Sequence, residues 1–128
     1  MEQAAQIKSY RDLLIWKKGM ALVKSIYKVT KQFPEDERFG LISQMRRAAI
    51  SVPSNIAEGQ ARQGKREFVQ FLSHAEGSLA ELDTQVLLSL DLGYCGGADA
   101  EPLLSLITEL QKMITVLRQK VGHLATNH

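Results

Sequence analysis

Residues 44–62, QMRRAAISVPSNIAEGQAR, constrain the fold of this chain most, because two different stripes run along them at helical spacing. Leu41, Met45, Ala48, Val52 and Ile56 recur at three- and four-residue steps. Gln44, Arg47, Ser51, Asn55, Glu58 and Arg62 do the same on the neighbouring edge. A solvated helix face holds mostly Lys and Glu, so a row built from Arg, Asn, Ser and Gln predicts fixed hydrogen bonds inside a packed seam. Arg47, Ser51, Asn55, Glu58 and Arg62 are therefore read as a structural polar network. Pro53 removes one backbone donor and disfavours a helical Val52. Two arrangements accommodate it: one helix over about 35–63 kinked at Pro53, or two short helices, with Asn55 capping the second and Glu58 completing a capping box. The apolar phase is unbroken from Leu41 to Ile56, which favours the kinked helix.

Three further helical patterns flank this segment. The first covers about 10–31, with Leu13, Trp16, Met20, Val23 and Tyr27 read as its core seam and Phe33-Pro34 as its stop. Pro34 followed by Glu35, Asp36 and Glu37 suits the start of the second helix, through the fixed proline φ and the helix dipole. The third covers about 65–92, with Phe68, Leu72, Ala75, Leu79, Leu82, Val86 and Leu90 on one seam and Gly93 as its end. After the loop GYCGGADAEP, a fourth over about 101–124 repeats the pattern with Leu103, Ile107, Leu110, Ile114, Leu117, Val121 and Leu124. A length of 128 residues, 6% aromatics and three prolines suit one helical domain with a core of its own. The expected fold is all-α, a single up-down antiparallel four-helix bundle over residues 1–128, with axes inclined by roughly 20°.

The first helix is more apolar than such a bundle requires. Ile15, Leu22, Ile26, Val29 and Phe33 widen its apolar arc to about 200°, where one buried face needs little more than about 100°. Either loops and the N-terminal segment cover this second face or another subunit does. The width of the arc favours a homo-oligomer with those five residues at the subunit interface.

Charge is uneven along the chain. Residues 1–34 sum to +5, 35–66 to +2, 67–109 to −8 and 110–128 to +3, giving the net +2. Lys17, Lys24, Lys28 and Lys31 share one edge of the first helix; Arg46, Arg47, Lys65 and Arg66 cluster on the second helix and its exit. Such a set can meet phosphates. It can equally face the acids of the third helix, within a subunit or across an interface.

Other classes find little support. Cys95 stands alone in a Tyr-Cys-Gly-Gly loop, so neither an internal disulfide nor a metal pair is expected, and no positive neighbour lowers its thiol pKa. No apolar run approaches the roughly 20 residues that span a bilayer, and a reducing cytoplasm is the expected compartment. No Glu stands three residues before His74, His123 or His128, as a di-iron bundle requires. Asn55, Glu58 and Arg62 look like a polar catalytic cluster, but nothing nearby supplies a nucleophile, a phosphate loop or a second acid. No catalytic residue, metal, cofactor or small-molecule substrate is therefore assigned. His74 reads as a helix-surface residue, and Trp16 and Tyr27 as packing residues rather than base-stacking platforms.

At the level of motifs, YRDLLIWKKGMALV, FPEDERFGLISQMRRAAISVPSNIAEGQARQ and FVQFLSHAEGSLAELDTQV together resemble a bacterial family. It comprises the four-helix-bundle proteins first noticed as open reading frames in intervening sequences of 23S ribosomal RNA genes. The match covers about residues 10–94 and centres on RRAAISVPSNIAEG and GSLAELDTQ; the fourth helix matches in pattern alone. The resemblance implies an up-down bundle assembling as a ring-like homopentamer. It also implies kinship with the accessory variability protein of diversity-generating retroelements, a basic pentamer that binds nucleic acid and a reverse transcriptase. The acidic 67–109 segment sets this chain apart from that relative.

Two functional classes follow. In the favoured one, a non-enzymatic oligomeric scaffold or accessory protein associates with RNA, DNA or a nucleic-acid enzyme through its basic residues, with binding that falls steeply as salt rises. In the alternative, a protein-directed module spends those charges on subunit contacts and retains no nucleic acid.

Overall fold

The computed structural model describes residues 9–126. It comprises four helices, α1 (Leu14–Thr30), α2 (Leu41–Ala61), α3 (Lys65–Asp91) and α4 (Gly97–Thr126), and the described residues contain no strand. Each helix packs on the next and α4 returns to α1, while the diagonal pairs scarcely touch. With only residues 62–64 and 92–96 linking the last three helices, the result is the expected antiparallel up-down four-helix bundle.

The helix starts differ from the sequence reading. Over 10–12 the chain makes a separate 3₁₀ turn capped by Ser9, and α1 begins after the extended Leu13. The acids Glu35–Glu37 likewise form a 3₁₀ turn of their own, and Gly40 leaves helical φ/ψ before α2 starts at Leu41. Glu37 still serves α2, because its Oε1 accepts a hydrogen bond from the Leu41 N–H at 3.1 Å. The fourth helix starts at Gly97 rather than 101; Ala100 N–H already bonds to Gly96 C=O, and Pro102 lies inside the helix. Gly93 ends the third pattern as expected: at φ 76° it lets its own N–H reach Leu90 C=O and the Tyr94 N–H reach Ser89 C=O.

Residues 41–61 form one helix with Pro53 inside it, as the unbroken apolar phase predicts, rather than two short helices. Leu41, Met45, Ala48, Val52 and Ile56 are all buried, as are Leu72, Ala75, Leu79, Leu82 and Val86 of α3 and Leu103, Ile107, Leu110 and Ile114 of α4. Phe68, Leu90 and Leu117 lie half-buried at the ends of these seams, and Leu124 is exposed.

The first helix is rotated relative to the sequence reading, and this overturns the proposed interface. Ile15, Leu22, Ile26, Val29 and Phe33 are buried in the subunit's own core. The seam assigned to that core instead faces outward or lies at its margin: Met20 and Tyr27 are exposed, and Leu13, Trp16 and Val23 are half-buried. Gly19 explains the choice. It shares the buried face with Ile15, Leu22 and Ile26, and a Cβ built on it would lie 3.4 Å from Cβ and Cδ of Pro53, so α1 and α2 approach closely where Gly19 meets the proline ring.

Candidate nucleic-acid interface

The outer face made by α1 and α2 carries few carboxylates of its own, and Lys28 at its α4 edge lines a depression with Asp99. The helix α1 contains no Asp or Glu, and α2 contains only Glu58, near its end. Lys17, Lys24, Lys28 and Lys31 recur at steps of seven, four and three, which confines them to about 60° of helix circumference over about 21 Å of length. All four are exposed, and among the described residues none forms an ion pair. The within-subunit version of the charge-pairing reading fails for this stripe, because α3 stands diagonally across the bundle from α1. The acids find other partners: Glu109 takes Lys18 at 3.0 Å, and Glu76 binds Arg118 Nε and Thr115 Oγ1 between α3 and α4.

The remaining basic residues do not form one patch with the lysine stripe. Arg47 is exposed on α2 and unpaired among the described residues. Lys65 and Arg66 are exposed in the first turn of α3, away from α1. Arg46 is held in the α1–α2 seam. Its Nε donates to Thr30 Oγ1 at 3.0 Å, its Nη2 lies 3.4 Å from the Tyr27 carbonyl, and its guanidinium sits 4.3 Å from the centroid of the Tyr27 ring. Thr30 Oγ1 in turn donates to the Ile26 carbonyl at 2.7 Å. Tyr27 is thus no core residue: its ring is an exposed surface element backed by arginine.

The polar stripe of α2 divides between two environments. Ser51 Oγ and Ser78 Oγ are hydrogen-bonded across the α2–α3 seam, and Asn55 Nδ2 donates to the Ser51 carbonyl at 2.7 Å. That portion is the packed network expected from the residue types. Glu58 and Arg62 instead form an exposed pair at 2.9 Å, with the Arg62 guanidinium above the Phe71 ring. The hydrogen bond and charge of Glu58 raise the Arg62 pKa above its ordinary value. Arg47 lies outside the network, because its position on α2 turns it to solvent. Sequence reasoning did not anticipate Ser78, although a serine in GSL on a helix otherwise lined with Leu marks a polar partner in the seam.

Elsewhere, open depressions of about 400 and 520 Å³ run along the outer side of α4, where Met113, Val116, Leu117 and Leu124 lie among Lys112, Lys120 and His123. Phe39 is 89% exposed beside Arg38, in the acidic turn at the opposite end of the bundle. Cys95 is buried; burial first, and the Asp99 carboxylate second, push its thiol pKa up. No three His, Cys, Asp or Glu side chains among the described residues are grouped to hold a metal ion. Among the described residues no helix is long and apolar enough to cross a membrane.

The fold and this face define an all-α bundle with one outer face free of carboxylates over most of its length. The model of the 23S rRNA-intervening sequence protein family matches residues 11–116, and the chain belongs to that family. Among solved structures it is similar to a protein of unknown function from the S23 ribosomal protein family of Bacteroides thetaiotaomicron. The TM-score is 0.74 at 21% identity, covering 82% of this chain and 98% of that one, a likeness of fold. No curated protein matches.

Proposed function

We propose that this protein is a non-enzymatic accessory protein that self-associates and holds RNA on its α1–α2 face. The observation that carries the reading is the exposed stripe of Lys17, Lys24, Lys28 and Lys31, opposed by no carboxylate on α1. Unpaired cations at fixed spacing attract phosphates and release their counterions on contact. Binding is then tolerant of sequence and sensitive to salt.

A homo-oligomer, the pentamer implied by the family resemblance, multiplies a weak attraction per subunit into useful avidity. With the buried α1 residues withdrawn from any interface, self-association has other apolar surface to use. Phe39 and the outer groove of α4 are exposed in the single subunit and leave the lysine stripe free. The kinship with the retroelement accessory protein that the resemblance implies suits this reading and would add a nucleic-acid enzyme as a further partner.

The test is retention of a structured RNA across a salt series by the wild type and by Lys24→Gln/Lys28→Gln. The wild type binds at low salt with a steep log–log slope, and the double variant loses roughly two units of that slope per bound subunit. Failure to retain RNA or DNA at low salt, or equal binding by both proteins, overturns the reading in favour of a protein-directed scaffold. Light scattering tests the assembly: a mass near the 14.3 kDa of one chain refutes it, and five times that mass supports the pentamer.

A further inference from the structure

Exposed aromatic rings on this bundle occur in two electrostatic settings. Phe39 stands in the turn that carries Glu35, Asp36 and Glu37, where a phosphate is repelled. Tyr27 stands on the lysine stripe: Lys24 lies one turn before it, Lys31 one turn after, and Lys28 is the next residue in the chain. Tyr27 is 37% exposed. The second aromatic of α1, Trp16, is half-buried against Tyr10 and does not compete for this role.

The Tyr27 ring is also fixed in place. Arg46 lies over it at 4.3 Å and is anchored at Thr30 Oγ1 and at the Tyr27 carbonyl, so ring and guanidinium form one ordered pair in the outer α1–α2 groove. No hydrogen bond to the Tyr27 hydroxyl occurs among the described residues, so the ring acts through its faces and edge. An ordered aromatic–guanidinium pair between ammonium groups offers a nucleic acid two different contacts. The lysines meet the backbone phosphates, while the pair offers a surface on which an unpaired base can stack.

We propose that the Tyr27–Arg46 pair is a base-stacking platform that gives the α1–α2 face a preference for single-stranded over duplex nucleic acid. The inference rests on the reading of that face as a phosphate-binding surface, and goes beyond it in naming the class of nucleic acid. Bases in a duplex are already stacked on one another and out of reach, whereas a single strand can turn a base onto the ring. The two contacts also differ in their salt dependence. Phosphate contacts release counterions and set the slope of log affinity against log salt; stacking releases none and shifts the affinity at every salt concentration alike.

The experiment measures binding of a short oligouridylate and of a duplex of equal length across a salt series. It compares the wild type, Tyr27→Ala, Tyr27→Leu, Tyr27→Phe and Lys24→Gln/Lys31→Gln. Tyr27→Ala and Tyr27→Leu are expected to weaken single-strand binding about tenfold with the salt slope unchanged. They leave duplex binding as it was, and Tyr27→Phe behaves as wild type. The lysine pair instead lowers the slope for both ligands. Tyr27→Leu carries the test if the alanine variant melts early, because it keeps an apolar side chain beneath Arg46.

Unchanged single-strand binding by Tyr27→Leu, equal losses for single strand and duplex, or a reduced slope would each overturn the platform. If the wild type binds neither ligand at low salt, the phosphate-binding reading itself fails and the platform with it. If it binds both with a lysine-dependent slope and Tyr27 is indifferent, the platform alone fails.

Discussion

Gly59 of α2 lies against Phe71 of α3 so closely that a Cβ built on the glycine would sit 2.7 Å from Phe71 Cβ and 3.0 Å from Phe68 Cδ1. This is where α2 and α3 approach one another without room for a side chain. Two turns back along α2, Ser51 and Ser78 meet across the same seam. Polar bonding and apolar contact thus hold one interface at successive levels.

The two buried glycines of the α1–α2–α3 corner should respond in opposite ways to an added methyl. At Gly59 the obstructing atom is the Cβ of Phe71, close to the backbone and unable to swing aside, so Gly59→Ala is expected to cost about 1–3 kcal/mol. At Gly19 the new Cβ would meet Pro53 at 3.4 Å, an ordinary contact, and alanine favours a helix over glycine by about 1 kcal/mol. Gly19→Ala should therefore leave stability unchanged or raise it by up to about 1 kcal/mol. Urea unfolding of both variants checks the pair, and equal effects would mean that α2 approaches α3 no more closely than it approaches α1.

Ile26 is completely buried in the subunit core, so Ile26→Glu places an unpaired carboxylate among apolar side chains. The expected outcome is loss of about 3 kcal/mol or more and a markedly lower melting temperature. Met20→Glu, on the exposed arc of the same helix, should cost less than about 1 kcal/mol within a single subunit. Circular dichroism during thermal melting separates the two. An Ile26→Glu protein that dissociates with its helicity and melting intact would return this residue to a subunit interface.

Ser51 and Ser78 share one hydrogen bond, so truncating either should cost about 1 kcal/mol, although Ser51 Oγ also accepts a longer bond from Asn55 Nδ2 at 3.5 Å. The double truncation Ser51→Ala/Ser78→Ala removes both groups at once and should cost less than the sum of the single changes. A double-mutant cycle in urea measures the difference. Strict additivity would place the two hydroxyls in separate environments.

Much of the bundle is legible in the sequence because helix periodicity is a local property. In α3 and α4 a single apolar stripe dominates, and Leu72, Leu79, Leu82 and Val86 or Ile107, Leu110 and Ile114 can face only inward. Gly93 likewise announces its turn through its own φ. In α1 two apolar stripes of similar strength lie side by side, and periodicity does not choose between Ile15–Leu22–Ile26 and Trp16–Met20–Tyr27. The packing of Gly19 on Pro53 and the capture of Tyr27 and Thr30 by Arg46 decide it, and these are contacts between residues 16 to 34 positions apart.

The candidate site divides in the same way. Sequence alone determined that this chain is helical and that the lysines of its first helix lie on one edge, because charge and helical phase are written residue by residue; the start of α1 at Leu14, which leaves Asp12 outside it, came from the structure. Whether those lysines are spent on the acids of α3 depends on which helices are neighbours. Tertiary structure set α1 diagonally across from α3, gave Glu109 to Lys18 and Glu76 to Arg118, and left Lys17, Lys24, Lys28 and Lys31 facing solvent beside Tyr27. Coulombic pairing requires proximity of a few ångströms, and only the arrangement of the four helices supplies or withholds it.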